Sequence, residues 1–168
     1  ALDLMVKRAT TREAFGKPLA QLGGNLEIIS RARIEIEAMR LMVLKAAKAM
    51  DVLGNKEARV WVSMVKAMVP ERACKIIDQS IQMHGATGVS QWTPLAGMYT
   101  SQRTLRIADG PDEVHHLVVG RTELQRGLIG IGGGRRGLHP RQRNARPAPG
   151  VGFTPLALLT LGALTPPD

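Results

Sequence analysis

The sequence predicts an all-α protein: an up-down helical bundle over residues 1–124, followed by a disordered tail over residues 125–168. Three observations carry this reading. Apolar residues recur at helical spacing through the first three quarters of the chain. Aromatic residues make up only 3% while Ala, Leu, Val, Ile and Met are plentiful, which suits close helix packing better than a β-sandwich. From Gln125 onward the periodicity stops, and nine Gly and six Pro make up about a third of the tail. Such a segment buries too little apolar surface to offset its chain entropy.

The first helix is expected over about residues 1–13, with Leu2, Met5, Val6 and Ala9 on one face. It breaks at Phe15-Gly-Lys-Pro18, because proline disfavours helix in the residue before it. The second starts near Leu19 or Leu22 and ends at Leu53, where Gly54-Asn55 reads as a C-cap. It carries two apolar stripes. Leu26, Ile29, Ile36, Met39, Val43, Ala46 and Met50 form one; Ile28, Ile34, Leu41 and Leu44 form the other. Two stripes imply burial on two sides, as in a bundle of more than two helices. The third helix covers about 56–84, and Pro70 either kinks it or marks a local break. A loop from Gly85 to near Pro94 leads to a fourth helix over 95–107. Asp109-Gly-Pro111 interrupts the chain before a fifth segment from Asp112 to Gln125.

The net charge of +9 is uneven. Residues 1–124 hold 17 Lys+Arg against 13 Asp+Glu, whereas residues 125–168 hold six Arg and a single acid, Asp168. The basic tail lacks the aromatics of nucleic-acid recognition modules, so no nucleic-acid partner is expected. The single cysteine, Cys74, cannot form an internal disulfide and points to a reducing compartment. No apolar run reaches membrane-spanning length; Phe153 to Leu164 is short and broken by Pro155 and Gly162. The opening Ala1-Leu-Asp-Leu-Met-Val-Lys-Arg8 reads as a helix already under way, so the domain is expected to be truncated at its N-terminus.

Three segments carry candidate chemistry. In Thr104-Leu-Arg-Ile-Ala-Asp-Gly-Pro-Asp-Glu-Val-His-His116, a carboxylate, Asp109, stands directly before a Gly-Pro turn and a new helix. That junction suits a general base beside free backbone N–H groups, although an aspartate there also serves as a helix cap. Arg12-Glu-Ala-Phe-Gly-Lys-Pro18 offers a guanidinium suited to phosphate, and Gln82-Met-His-Gly-Ala-Thr-Gly88 offers a glycine-rich turn that backbone-binding of an anion requires. No Cys/His/Asp cluster has ligand spacing, adjacent His115 and His116 diverge on a helix, and no metal is expected.

Taken together and in this order and spacing, these three segments resemble the C-terminal helical domain of the acyl-CoA dehydrogenase family. The Asp-Gly-Pro-Asp-Glu-Val-His form is most similar to a divergent branch of that family, whose members often carry an extra kinase-like domain and are assigned to mitochondria or peroxisomes. The resemblance implies an FAD-dependent enzyme that introduces an α,β double bond into an acyl-CoA. A carboxylate takes the α-proton, a hydride leaves the β-carbon for the flavin, and electron-transfer flavoprotein or oxygen takes the electrons onward. By resemblance Asp109 matches the catalytic base, usually a glutamate, and Gly110 matches a substrate contact. Arg12, with Phe15 beside it, matches an arginine that reaches the FAD of a neighbouring subunit. Gln82, Gly85 and Ala86 match the loop that holds the cofactor's pyrophosphate and adenosine end, and Pro111 and Glu113 match positions lining the FAD.

The sequence departs from the pattern at several points. Asp109 is one methylene shorter than glutamate, Ala86 replaces a common Gly, Pro111 a common Thr, and Gly23 a common Gln. The family's N-terminal helical and middle β-domains have no counterpart in these residues. The resemblance therefore implies a homodimer or homotetramer as the parent enzyme, with this piece inactive by itself. The rival reading is a truncated, non-catalytic helical module that only associates with other helices.

Overall fold

The structure, a computed structural model, describes residues 1–131, with side chains through Leu128. α1 spans Leu2–Thr11 and buries Leu2, Met5 and Ala9, the spacing its sequence announces. The next residues form a small hairpin that the helical periodicity does not signal. β1, Glu13–Ala14, pairs antiparallel with β2, Lys17–Pro18, in the register Glu13 to Pro18 and Ala14 to Lys17. Phe15 and Gly16 between them have φ of 52° and 73°. Positive φ at both central residues is the signature of a type I′ turn. A 3-10 turn over Leu19–Gln21 leads into the next helix.

α2 runs from Asn25 to His84 and is broken at Gly54, where φ is 75° and ψ is 172°. Only glycine occupies that region without strain. The break folds α2 into two arms, residues 25–53 and 55–84. Cross-arm partners are symmetric about Gly54: Arg72 pairs with Glu35, and Lys45 sits 5.1 Å from the centre of the Trp61 ring. The core between them joins Leu2 and Met5 of α1 to Ala32, Met39, Ala46, Val65, Val69 and Ile76. Pro70 neither breaks nor non-helically distorts its arm; it is buried, and its missing N–H leaves the Lys66 carbonyl without its helical donor.

α3 is a single turn, Ala86–Val89, and α4 covers Leu95–Leu105. α5 covers Asp112–Ile131, six residues beyond Gln125, where the sequence places the start of the tail. Extending an existing helix costs far less than nucleating one, and the Arg126–Glu123 pair at 2.6 Å supports the added turn. The rest of the expected tail lies outside the described residues. α4 and α5 run back along the 55–84 arm, since Lys66 meets Leu105 and Gly110 while Ser63 meets His115. The all-α, up-down bundle expected from the sequence is the fold.

One expectation is met only in part. The first stripe of the 25–53 arm buries Met39 and Ala46, but Leu26, Ile34, Leu41 and Leu44 remain 65%, 64%, 67% and 58% exposed. Of the second stripe, Ile28 packs against the core, whereas Ile34, Leu41 and Leu44 have no covering helix among the described residues.

Candidate functional site

The segment between α4 and α5 is shaped by its own backbone and by three interior groups. Asp109 has φ of 55° and Gly110 has φ of 98°. Aspartate tolerates the left-handed region better than most residues, but the region still costs it on the order of 1 kcal/mol. The turn puts the Asp109 side chain at the surface.

Beneath it, Lys66 is only 7% exposed. Its ammonium donates to the carbonyl of Leu105 and, at 3.2 Å, to that of Gly110. Burial pushes this ammonium below the usual lysine value, opposed by the carboxylates of Asp112 and then Asp109. His115 is fully buried, with Nε2 3.3 Å from the Asp109 carbonyl and Nδ1 3.4 Å from Ser63 Oγ. A carbonyl only accepts, so these partners place the proton on Nε2 and leave Nδ1 to accept from the serine hydroxyl. Burial pushes the imidazole below its usual value; the Asp109 carbonyl opposes that fall and the Lys66 charge adds to it. Finally, Arg106 Nε donates to Asp112 Oδ2 at 2.6 Å, and the Asp112 N–H returns to the Arg106 carbonyl at 3.2 Å. Pro111 and Glu113 are exposed and Gly110 is half-buried, so all four positions singled out in this segment lie together on its outer surface.

The other candidates collect at the far end of the 55–84 arm. Gln82, Gly85 and Ala86 are exposed there. Gly85 terminates α2 with φ of 64°, and its N–H bonds to the carbonyls of Ile81 and Gln82. A Cβ on Gly85 would meet nothing within 4 Å, so glycine is needed for conformation. Gly88 has the opposite reason: a Cβ there would lie 2.6 Å from the Ile81 carbonyl oxygen. That glycine serves internal packing, whereas the sequence suggested a free phosphate-facing turn over Gly85 to Gly88. His84 is a packed residue, its Nδ1 2.7 Å from the Ser80 carbonyl. Arg8 Nη2 reaches the His84 carbonyl at 3.4 Å, which ties the end of α1 to the end of α2. Arg12 and Phe15 therefore stand at this same end. Phe15 is 95% exposed, and the Arg12 guanidinium is unpaired among the described residues.

The two groups do not meet within one chain. Lys66 and Gln82 are 16 residues apart on one helical arm, about 24 Å at 1.5 Å per residue. The groove of about 630 Å³ between the two arms offers no alternative, since it is lined by Glu27, Arg31, Glu35 and Arg72, charges already in ion pairs, and by no residue of the Asp109 turn. Among the described residues no group of three or more His, Cys, Asp or Glu is placed to hold a metal ion.

This helical hairpin with its flanking helices matches a known domain. Residues 1–124 match the family model described as acyl-CoA dehydrogenase, C-terminal domain. The chain belongs to the acyl-CoA dehydrogenase family. It is 52% identical over 126 residues to a probable acyl-CoA dehydrogenase, FadE2, of Mycobacterium tuberculosis, covering 75% of this chain and 31% of that protein. It is 52% identical over 125 residues to acyl-CoA dehydrogenase family member 10 of Mus musculus, covering 74% of this chain and 12% of that protein. Among solved structures, that of a putative acyl-CoA dehydrogenase from Mycobacterium abscessus superposes with a TM-score of 0.73 at 48% identity, covering 74% of this chain and 31% of that one. The chain thus spans a third or less of the relatives it matches.

The acyl-CoA dehydrogenase motifs legible in the sequence are the exposed ones. Lys66, which shapes the Asp109 turn from below, stands in no motif, while Arg106, Asp112 and His115 lie within the Thr104–His116 motif without being singled out for this supporting role. The available signal was a lysine set among Val65, Ala67 and Val69, on a face that has to be buried.

Proposed function

We propose that this chain is the C-terminal part of an FAD-dependent acyl-CoA dehydrogenase in which Asp109 removes the α-proton of an acyl-CoA thioester. The observation that carries the reading is the Asp109 turn: an exposed carboxylate on a left-handed residue, held from beneath at the start of α5 in a chain of this family. The flavin, when bound, accepts the β-hydride. Asp109 holds the α-proton at its carboxylate oxygen, and Gly110 beside it is the substrate contact. An α-proton next to a thioester is weakly acidic, so its removal depends on a correctly placed, desolvated base.

The residues at the far end fit the cofactor. An unpaired guanidinium at Arg12, an exposed ring at Phe15, and the open backbone of Gln82, Gly85 and Ala86 offer donors to a pyrophosphate and a face for a planar ring. Pro111 and Glu113 would line the same cofactor near the base. The separation of about 24 Å between the two groups supports a site completed by neighbouring copies. The uncovered apolar residues of the 25–53 arm, Leu26 of the first stripe with Ile34, Leu41 and Leu44 of the second, support a homodimer or homotetramer. Electron-transfer flavoprotein or oxygen is the proposed acceptor, and a mitochondrion or peroxisome the proposed compartment.

The test is Asp109→Asn in a chain carrying the family's remaining domains. FAD is retained and dehydrogenation collapses; unimpaired turnover removes Asp109 from the mechanism. The same uncovered residues also favour a second reading, a helical module that only associates with other subunits. Purified chain mixed with FAD discriminates: bound flavin, seen by absorbance and fluorescence, favours the enzyme, and no bound flavin with no turnover favours the module.

A further inference from the structure

The Asp109 side chain is exposed, so its position is set by the backbone that carries it. That backbone is in a left-handed conformation and belongs to an irregular turn, which relaxes unless its surroundings hold it. The holding groups come from elsewhere in the chain. Lys66 bonds the carbonyls of Leu105 and Gly110, one on each side of Asp109, and His115 faces the Asp109 carbonyl itself. A Cβ on Gly110 would stand 3.1 Å from His115 Nε2, so the turn is seated on the imidazole with no slack.

An apolar side chain at the buried position 66 would avoid the desolvation that a buried ammonium incurs. The ammonium has a consequence an apolar residue lacks: one group fixes two carbonyls five residues apart. An aspartate base reaches one methylene less far than a glutamate, so errors in its backbone pass directly to the carboxylate.

We propose that Lys66 is a positioning residue for Asp109, its ammonium acting with His115 to pin the carbonyls that bracket the turn and so fix where the carboxylate stands. The inference rests on Asp109 being the base.

The experiment compares Lys66→Met, Lys66→Arg and Asp109→Asn in the complete flavin-bound protein, reading steady-state kinetics and amide hydrogen exchange together. In Lys66→Met the Ile107, Ala108 and Asp112 amides, which close the turn, exchange roughly tenfold faster while those of α1 do not change. The kcat falls roughly tenfold or more, in line with the cost of misplacing a reacting group by about an angstrom, at nearly constant KM and flavin content. Lys66→Arg keeps a buried cation with donors and recovers part of both. A merely structural role would lower the melting temperature and the flavin-loaded fraction but leave kcat per bound flavin at the wild-type value. If Lys66→Met does not fold, Lys66→Arg gives the same readings at smaller size. Wild-type exchange and wild-type kcat per flavin in the folded Lys66 variants, with Asp109→Asn inactive, overturn the positioning role alone. Full turnover in Asp109→Asn overturns the base and the positioning role with it.

Discussion

The Lys66 ammonium lies 3.2 Å from the Gly110 carbonyl oxygen, a contact that joins residues 44 apart in sequence and sets the floor of the Asp109 turn. The same ammonium reaches Leu105, so one buried charge links α4, the turn and the 55–84 arm of α2. Replacing it with methionine keeps the stem packing and strands two carbonyls. Each such loss costs about 1–3 kcal/mol; removing a desolvated ammonium offsets part of the two, and Lys66→Met is expected to lower the urea unfolding free energy by about 1–3 kcal/mol. A change within error would show that the two carbonyls find other donors.

Gly54 allows the reversal between the two arms of α2. Its φ of 75° and ψ of 172° lie outside what an L side chain adopts at ease, and a Cβ there would meet nothing within 4 Å. Gly54→Ala is therefore a test of backbone conformation alone. It is expected to cost about 1–3 kcal/mol in thermal or urea unfolding. A neutral result would mean that the reversal forms with a different backbone geometry.

Gly88→Ala is destabilising for the other reason. The added methyl would start 2.6 Å from the Ile81 carbonyl oxygen and 2.8 Å from its Cα, both backbone atoms that cannot swing aside. Overpacking of this kind costs about 1–3 kcal/mol. Because Ile81 precedes Gln82, the substitution is also expected to shift the Gln82–Ala86 loop, read as amide chemical-shift changes confined to residues 80–95. Changes spread evenly over the domain would contradict that placement.

Stability should fall with acid through His115. Burial, the largest cause, holds its imidazole below the usual 6.5, with the Asp109 and Gly110 carbonyls and the Asp112 carboxylate opposing and the Lys66 charge adding. Between 6.5 and that lowered value the unfolded chain binds a proton that the folded chain does not. This contribution is complete above pH 6.5 and is lost as pH falls through the window below it. Urea midpoints measured from pH 7.5 to 5 are expected to decline, and His115→Gln to flatten the decline. An unchanged slope in the variant would assign the acid sensitivity to other groups.

Much of the fold was legible because apolar spacing speaks directly about burial. Met5, Met39 and Ala46 lie in the core where the helical period places them. Gly54 was legible because a glycine after a periodic run has few structural meanings. The hairpin at Phe15-Gly16 was not, since a left-handed phenylalanine is chosen by the fold against its own preference. Pro70 was ambiguous because tertiary packing decides whether a helix survives its missing N–H. Leu26, Ile34, Leu41 and Leu44 announce a covered face, yet the chain alone leaves them exposed. At the candidate site, Asp109, Arg12 and Gln82 were visible as motif residues. The distance between them, and the Lys66 and His115 contacts under the turn, depend on pairings some 40 to 50 residues apart that no local pattern encodes.

Proton removal at the α-carbon is tested most directly by solvent isotope exchange. The complete flavin-bound protein is held with an acyl-CoA in deuterium oxide under anaerobic conditions, and α-deuteration is followed by mass spectrometry for the wild type and for Asp109→Asn. The expected result is exchange in the wild type and none above background in the variant with flavin content unchanged. Equal exchange in both would show that another group takes the proton.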